Sequence, residues 1–181
     1  MEIIKTALLD VLEITPKVFG DHRGWFYESF NLNKLERFGI DFCCVQENHS
    51  YTAKKGTVRG LHFQLNPYAQ TKIVRCTKGV IIDVVVDLRK KSINYCKWIG
   101  IELSEENKKL LYIPKGFAHG FISKSNDVEV QYLVDQYYVP SAERSIAFND
   151  PAIGVIWDIE GPVLSDKDKN APLLCNSDCN F

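Results

Sequence analysis

Seven short runs of β-forming residues, KIVRCT, GVIIDVVVDLR, KWIGIELS, KLLYIP, HGFISKS, VEVQYLVDQYY and SIAFND, follow one another between residues 72 and 150. They are separated by turn segments such as TKG, RKKSINY, SEEN, PKG and SND. A chain punctuated this closely has no room for the helices that cover a parallel sheet, so it is expected to fold as an all-β sandwich or barrel. Only NLNKLERFG reads as a helix, with Leu32, Leu35 and Phe38 on one face, Asn31 as N-cap and Gly39 just past its end. No repeat, low-complexity block or linker interrupts the pattern before the polar tail CNSDCNF. Residues 1–181 therefore read as one domain, long enough to close a hydrophobic core without staples.

Charge and hydropathy exclude several classes of function. The chain carries 22 Lys and Arg against 23 Asp and Glu, with no long run of either sign, so no broad basic face for nucleic acid is expected. The apolar patch in MEIIKTALLDVLEITPK is too short and too interrupted by acids for a signal peptide, and no stretch approaches the roughly 20 apolar residues that span a bilayer. A cytoplasmic protein with no membrane partner is expected. Cysteines at 43, 44, 76, 96, 175 and 179 show no CxxC pairing, which favours reduced thiols over disulfides or a zinc site.

Strand alternation then selects the polar residues that face inward, because successive side chains point to opposite faces. In VEVQYLV, Tyr132 shares a face with Val128, Val130 and Val134; in KIVRCT, Lys72 shares one with Val74 and Cys76. His62 alternates with Gly60 and Gln64, against Leu61 and Phe63, so periodicity puts it on the more polar face. A ligand-holding barrel can nonetheless turn a polar face inward. Each residue also has a plain structural role: a core tyrosine, a snorkelling lysine, hydrogen-bonded histidines at 62 and 119, and an Asp168 that completes the capping box Ser165-x-x-Asp168.

Taken together, the ordered segments VFGDHRGWFYESF, VQENHSYTAKKGTVRGLHFQ, PYAQTKIVRCTKG, DVVVDLR, LSEENKKLLYIPKGFAHGF, YYVPSAERSIAFNDPAIGVIW and LSDKDKNAPLL resemble the nucleotide-sugar 3,5-epimerase family over nearly the whole chain. The resemblance implies a cupin-type jelly roll, a homodimer, and no cofactor or metal. It implies inversion of C3, C5 or both in a nucleoside-diphosphate 4-keto-6-deoxy sugar, in deoxysugar synthesis for surface polysaccharide. Both carbons flank the C4 ketone, so loss of either proton gives an enolate, and reprotonation from the other face inverts the centre. Matched by motif, His62 is the base, Asp168 the carboxylate behind it, Tyr132 the opposing acid and Lys72 the cation beside the C4 oxygen. Arg59 and Arg23 match diphosphate contacts, a role suited to guanidinium. Gln46, Asn48 and His119 match further pocket positions, Glu143 the nucleotide end, and Tyr138 a base-stacking aromatic. In the family the segment matching RGWFYESF enters the partner's site, which implies that Arg23, Phe26 and Glu28 act across the dimer.

Two other readings compete. PKGFAH fits half of a metal-binding cupin pattern, but the HxH half is absent, with Phe63 and Gln64 after His62, and four histidines in the chain argue against a three-histidine site. A silent sugar-nucleotide-binding jelly roll has no need of His, Tyr and Lys drawn from separate strands. The sequence leaves open a dTDP-linked hexose or a GDP-linked heptose, and departs from common family wording at GWFYESF and INYCKW.

Overall fold

A strand that buries one face alternates, whereas one buried on both faces reads as continuous apolar sequence; both kinds occur here. The computed structural model describes residues 1–181. In chain order the elements are β1 (Glu2–Lys5), β2 (Leu12–Thr15), β3 (Val18–Asp21), β4 (Gly24–Tyr27), α1 (Leu32–Glu36), β5 (Gln46–Thr52), β6 (Val58–Gln64), β7 (Lys72–Lys78) and β8 (Val80–Asp87). Then follow β9 (Trp98–Ser104), β10 (Leu110–Ile113), β11 (Phe117–Ser123), β12 (Val128–Val134), β13 (Glu143–Ser145) and α2 (Asp166–Lys169). A six-stranded sheet runs β1-β2-β10-β7-β12-β5, and a five-stranded sheet runs β13-β6-β11-β8-β9. The two stack as a cupin-like β sandwich, with β3 and β4 forming a separate hairpin.

Three apolar clusters account for the layers. Between the sheets, Val74, Cys76, Leu111 and Val130 of the larger sheet meet Ile81, Val85, Leu103 and Phe121 of the smaller one. The outer face of the smaller sheet is also buried, because Leu61, Phe63, Val84, Val86 and Ala118 pack against Ile146, Ile153, Trp157 and Leu174. A third cluster, Ile14, Ile73 and Leu110 against Leu35, Ile40 and Phe42, covers part of the larger sheet's outer face. Each fully buried Leu, Ile or Phe contributes about 1.5–3 kcal/mol.

Several local expectations are corrected. The helix is shorter than its pattern: Asn31 caps it through Lys34 N, but Phe38 and Leu32 are exposed and only Leu35 is buried. Gly39, at φ 76°, turns the chain there, and Ile40 N bonds back to Leu35 O, so Ile40 and Phe42 supply the contacts expected of Phe38. The expected strand SIAFND is instead Glu143–Ser145: Ile146 still bonds to Leu61, but Ala147 N turns to Pro172 O, and Asp150 accepts from Ala152 N and Leu174 N in the turn that follows. Strands β5 and β6 lie outside the seven runs: β5 alternates between exposed Glu47, His49 and Tyr51 and inward Gln46, Asn48 and Ser50, so neither face looks apolar.

One close approach positions the site. A Cβ at Gly120 would stand 2.6 Å from Arg59 O, and one at Gly60 would stand 2.5 Å from Gly120 Cα. Only a glycine pair lets β6 and β11 come this near, and it does so where their register shifts between His119 and Phe121. His62 is thereby paired directly with His119.

Candidate active site

The inter-sheet core does not fill its whole length. At one end it gives way to a pocket of about 620 Å³, whose lining includes His62, Lys72, His119, Tyr132 and Asp168. From β6, Arg59, His62 and Gln64 line the pocket, while Leu61 and Phe63 pack in the outer cluster. The polar face of β6 is thus the interior one, and the apolar face is covered by residues from Ile146 onward.

His62 Nε2 lies 2.6 Å from Asp168 Oδ1, with Asp168 almost fully buried. The N-terminus of α2 builds this partner. Ser165 Oγ accepts from Asp168 N at 3.1 Å and donates to Asp168 Oδ2 at 2.9 Å, so one capping residue fixes both the helix start and the carboxylate. Burial alone would push this carboxyl up; the hydrogen bond and charge of His62, with Ser165 and Lys167, outweigh it and hold the pKa below the ordinary carboxylate value. With Nε2 engaged, Nδ1 is the His62 nitrogen left free of protein partners.

Tyr132 and Lys72 come from the facing sheet. Val128, Val130 and Val134 are buried on the face they share with Tyr132, which packs against the inter-sheet core. Lys72 Nζ stands 6.0 Å from the Tyr132 ring centroid. Burial pushes the Tyr132 phenol up, which keeps it a proton donor at neutral pH. Burial pushes Lys72 down to about 8, opposed by the charges of Asp83 and Glu143. An imidazole backed by a carboxylate, a phenol and an amine thus line one cavity.

The sequence pattern described as dTDP-4-dehydrorhamnose 3,5-epimerase matches residues 5–176. The chain belongs to the dTDP-4-dehydrorhamnose 3,5-epimerase family. It is 51% identical to the epimerase of that name from Salmonella typhimurium over 176 residues, covering 96% of each chain. A crystal structure of the Bacillus anthracis epimerase with TDP and pyrophosphate bound superposes with a TM-score of 0.93 at 45% identity, covering 96% of this chain and 99% of that one. The Legionella pneumophila epimerase in complex with dTDP-4-keto-L-rhamnose matches with the same TM-score at 42% identity, covering 98% and 94%.

Ten of the thirteen site residues expected from sequence line this one pocket: His62, Tyr132, Asp168, Lys72, Gln46, Asn48, Arg59, His119, Tyr138 and Glu143. Arg59 is held at the rim, its Nε donating to Thr52 Oγ1 and its Nη2 to Tyr51 O. The Tyr138 hydroxyl donates to Glu143 Oε2 at 2.9 Å, and Lys167 Nζ sits 2.6 Å from Glu143 Oε1. Burial pushes the Glu143 carboxyl up, but Lys167 and Tyr138 more than offset it, and the net shift is downward. Arg23, Phe26 and Glu28 do not line the pocket. They lie on or just after the β3–β4 hairpin, where Arg23 pairs with Asp21 at 2.6 Å and Glu28 with Lys34 at 2.6 Å.

Two residues were not singled out from sequence. Lys167 sits inside the LSDKD segment and lines the pocket beside Asp168. Asp83 opens the segment DVVVDLR, and an acid in the middle of VIIDVVV is itself a signal, since the strand is apolar on both faces until Asp87 ends it. Asp83 accepts from His119 Nε2 at 2.7 Å. No group of three or more His, Cys, Asp or Glu residues converges in a way that could hold a metal ion.

Proposed function

We propose that the chain epimerises both C3 and C5 of a dTDP-linked 4-keto-6-deoxyhexose, with His62 as the base and Tyr132 as the acid. The observation that carries this reading is the 2.6 Å His62–Asp168 contact on one side of a pocket whose other side presents Tyr132 and Lys72. His62 Nδ1 removes the proton beside the ketone, and Asp168 steadies the imidazolium that forms. Lys72 faces the C4 oxygen, where its charge is worth more to the enolate than to the ketone. Tyr132 returns a proton from the opposite face; the imidazolium then gives its proton to solvent and the phenolate takes one from it, which resets both groups for the second centre. The relatives named for dTDP-4-dehydrorhamnose and for epimerisation at both positions support the choice of nucleotide and of two centres. The six unpaired cysteines suit a reducing, cytoplasmic setting, and no helix is long and apolar enough to cross a membrane.

In deuterated, chelator-treated buffer, NMR should show label at C3 and C5 of dTDP-4-keto-6-deoxyglucose together with inverted product. A GDP-linked 4-keto heptose should react far more slowly. Absence of exchange at both centres of the dTDP sugar would remove this assignment.

The same reading makes the working unit a homodimer. Trp25, Phe26 and Phe19 are 62%, 70% and 54% exposed on the β3–β4 hairpin, a surface that a second copy would cover while carrying Arg23 into the neighbouring site. Arg23→Ala and His62→Ala variants, each inactive alone, should then regain activity when unfolded and refolded together. A mixed dimer would hold one site free of both changes. No recovery in a mixture shown by mass to contain mixed dimers would mean that each site is built from one chain.

A further inference from the structure

Behind the pocket, outside its lining, lies a carboxylate for which the chemistry above has no use. Asp83 points with Ile81 and Val85 into the space between the sheets and has no exposed surface. Its Oδ1 accepts from His119 Nε2, but Oδ2 is the one buried side-chain oxygen or nitrogen in the molecule without a hydrogen-bond partner. An anion so placed is strongly unfavourable unless a positive charge compensates it. His119 does not supply that charge. Burial pushes its imidazole down against the pull of Asp83, and Lys72 and His62 add to the downward push, so a neutral ring donates the hydrogen bond.

Lys72 enters the same interior from the opposite sheet, on the face of Val74 and Cys76, and makes no ion pair with any carboxylate. Glu143 is the other carboxylate whose field reaches Lys72, but it is already occupied by Lys167 and the Tyr138 hydroxyl. Arg59, His62, His119 and Tyr132, which also line this pocket, bring no negative charge to it. Asp168 is taken up by His62 and Ser165, and Arg59, though in no ion pair, is exposed to solvent, which leaves Asp83 and Lys72 as the interior anion and cation without a charged partner at the pocket end of the sandwich.

We propose that Asp83, locked in place by His119, is a positioning residue that keeps Lys72 an ammonium in the empty pocket. The cation is then already charged when the C4 oxygen begins to carry its own. This deepens the function proposed above and rests on its reading of Lys72. Asp83 does so without touching substrate, since its free oxygen is sealed from the pocket.

The test is the pH profile of kcat/KM, which reports the free enzyme. Lys72 titrates near 8 with Asp83 present, so the basic limb should fall there in the unaltered enzyme. In Asp83→Asn the limb should move about one unit toward acid, an extra loss of about fivefold at pH 8 relative to the variant's own rate at pH 6. A uniform loss at every pH, with the limb unmoved, would overturn the proposal and leave Asp83 as a support for His119 alone.

A second measurement needs neither catalysis nor a folded Asp83→Asn chain. In Lys72→Met the buried carboxylate loses its counter-charge, and an uncompensated buried anion costs stability only where it is ionised, so the cost is small in acid and full at neutral pH. The gap in Tm between Lys72→Met and the unaltered protein should therefore widen from pH 4 to pH 7. A gap that stays constant would refute the pairing of Asp83 with Lys72. Were the gap to widen while no nucleotide sugar exchanged deuterium, the pairing would stand and the assigned reaction would fall.

Discussion

His62→Ala should eliminate deuterium uptake at both C3 and C5, with a rate loss on the order of 10² to 10⁴, while the fold survives. The side chain is partly exposed to the pocket and belongs to none of the three apolar clusters, so its removal opens the site without unpacking the core. The substitution also leaves Asp168 with one partner fewer. Burial pushes that carboxyl up, and the His62 hydrogen bond is the first interaction that pulls it down. Stability contributed by a depressed carboxylate is present above its unfolded pKa and is lost as pH falls through the folded one. The variant should consequently show a smaller rise in stability between pH 3 and 6 than the unaltered protein, measurable by thermal denaturation. Normal deuterium uptake in His62→Ala would mean that another group removes the protons.

Tyr132→Phe should separate exchange from inversion. The ring and its packing against the inter-sheet core remain, so stability should change little. With the phenol gone, His62 can still take a proton and return it to the face it came from. The expected result is deuterium incorporation near the native rate, with formation of the inverted sugar down by about 10² or more. A ratio of label to epimer equal to that of the unaltered enzyme would make Tyr132 an ordinary core tyrosine.

Legibility followed the number of faces a strand buries. In β12 alternation identified both the inward face and Tyr132 on it, because the valines beside Tyr132 are buried and its opposite face is mostly polar. In β6 the same rule needed the barrel exception: Leu61 and Phe63 are apolar because the C-terminal segment covers them, and His62 is inward although its neighbours by alternation are Gly60 and Gln64. β5 was hidden because Gln46, Asn48 and Ser50 line a wet pocket, so its inner face carries no apolar period. The capping pair Ser165 and Asp168 was readable from local spacing alone. Its contact with His62, 106 residues away in the chain, was accessible only through resemblance. Asp83 shows the converse: an acid set mid-strand among apolar residues marks an interior polar site by itself, although the hydrogen bond to His119 depends on how β8 and β11 pair.

The segment that begins at Ile146 has a consequence beyond covering a sheet. Ile146, Ile153, Trp157 and Leu174 seal the outer face of the smaller sheet, and the same segment delivers Asp168 to His62. A molecule in which this segment has peeled away could keep much of its strand pairing and its spectroscopic signature, yet it would lack the dyad altogether. Local opening of that kind falls short of global unfolding. Turnover is therefore a stricter witness to the finished molecule than secondary structure, because it registers whether the last piece to close over the sandwich has closed.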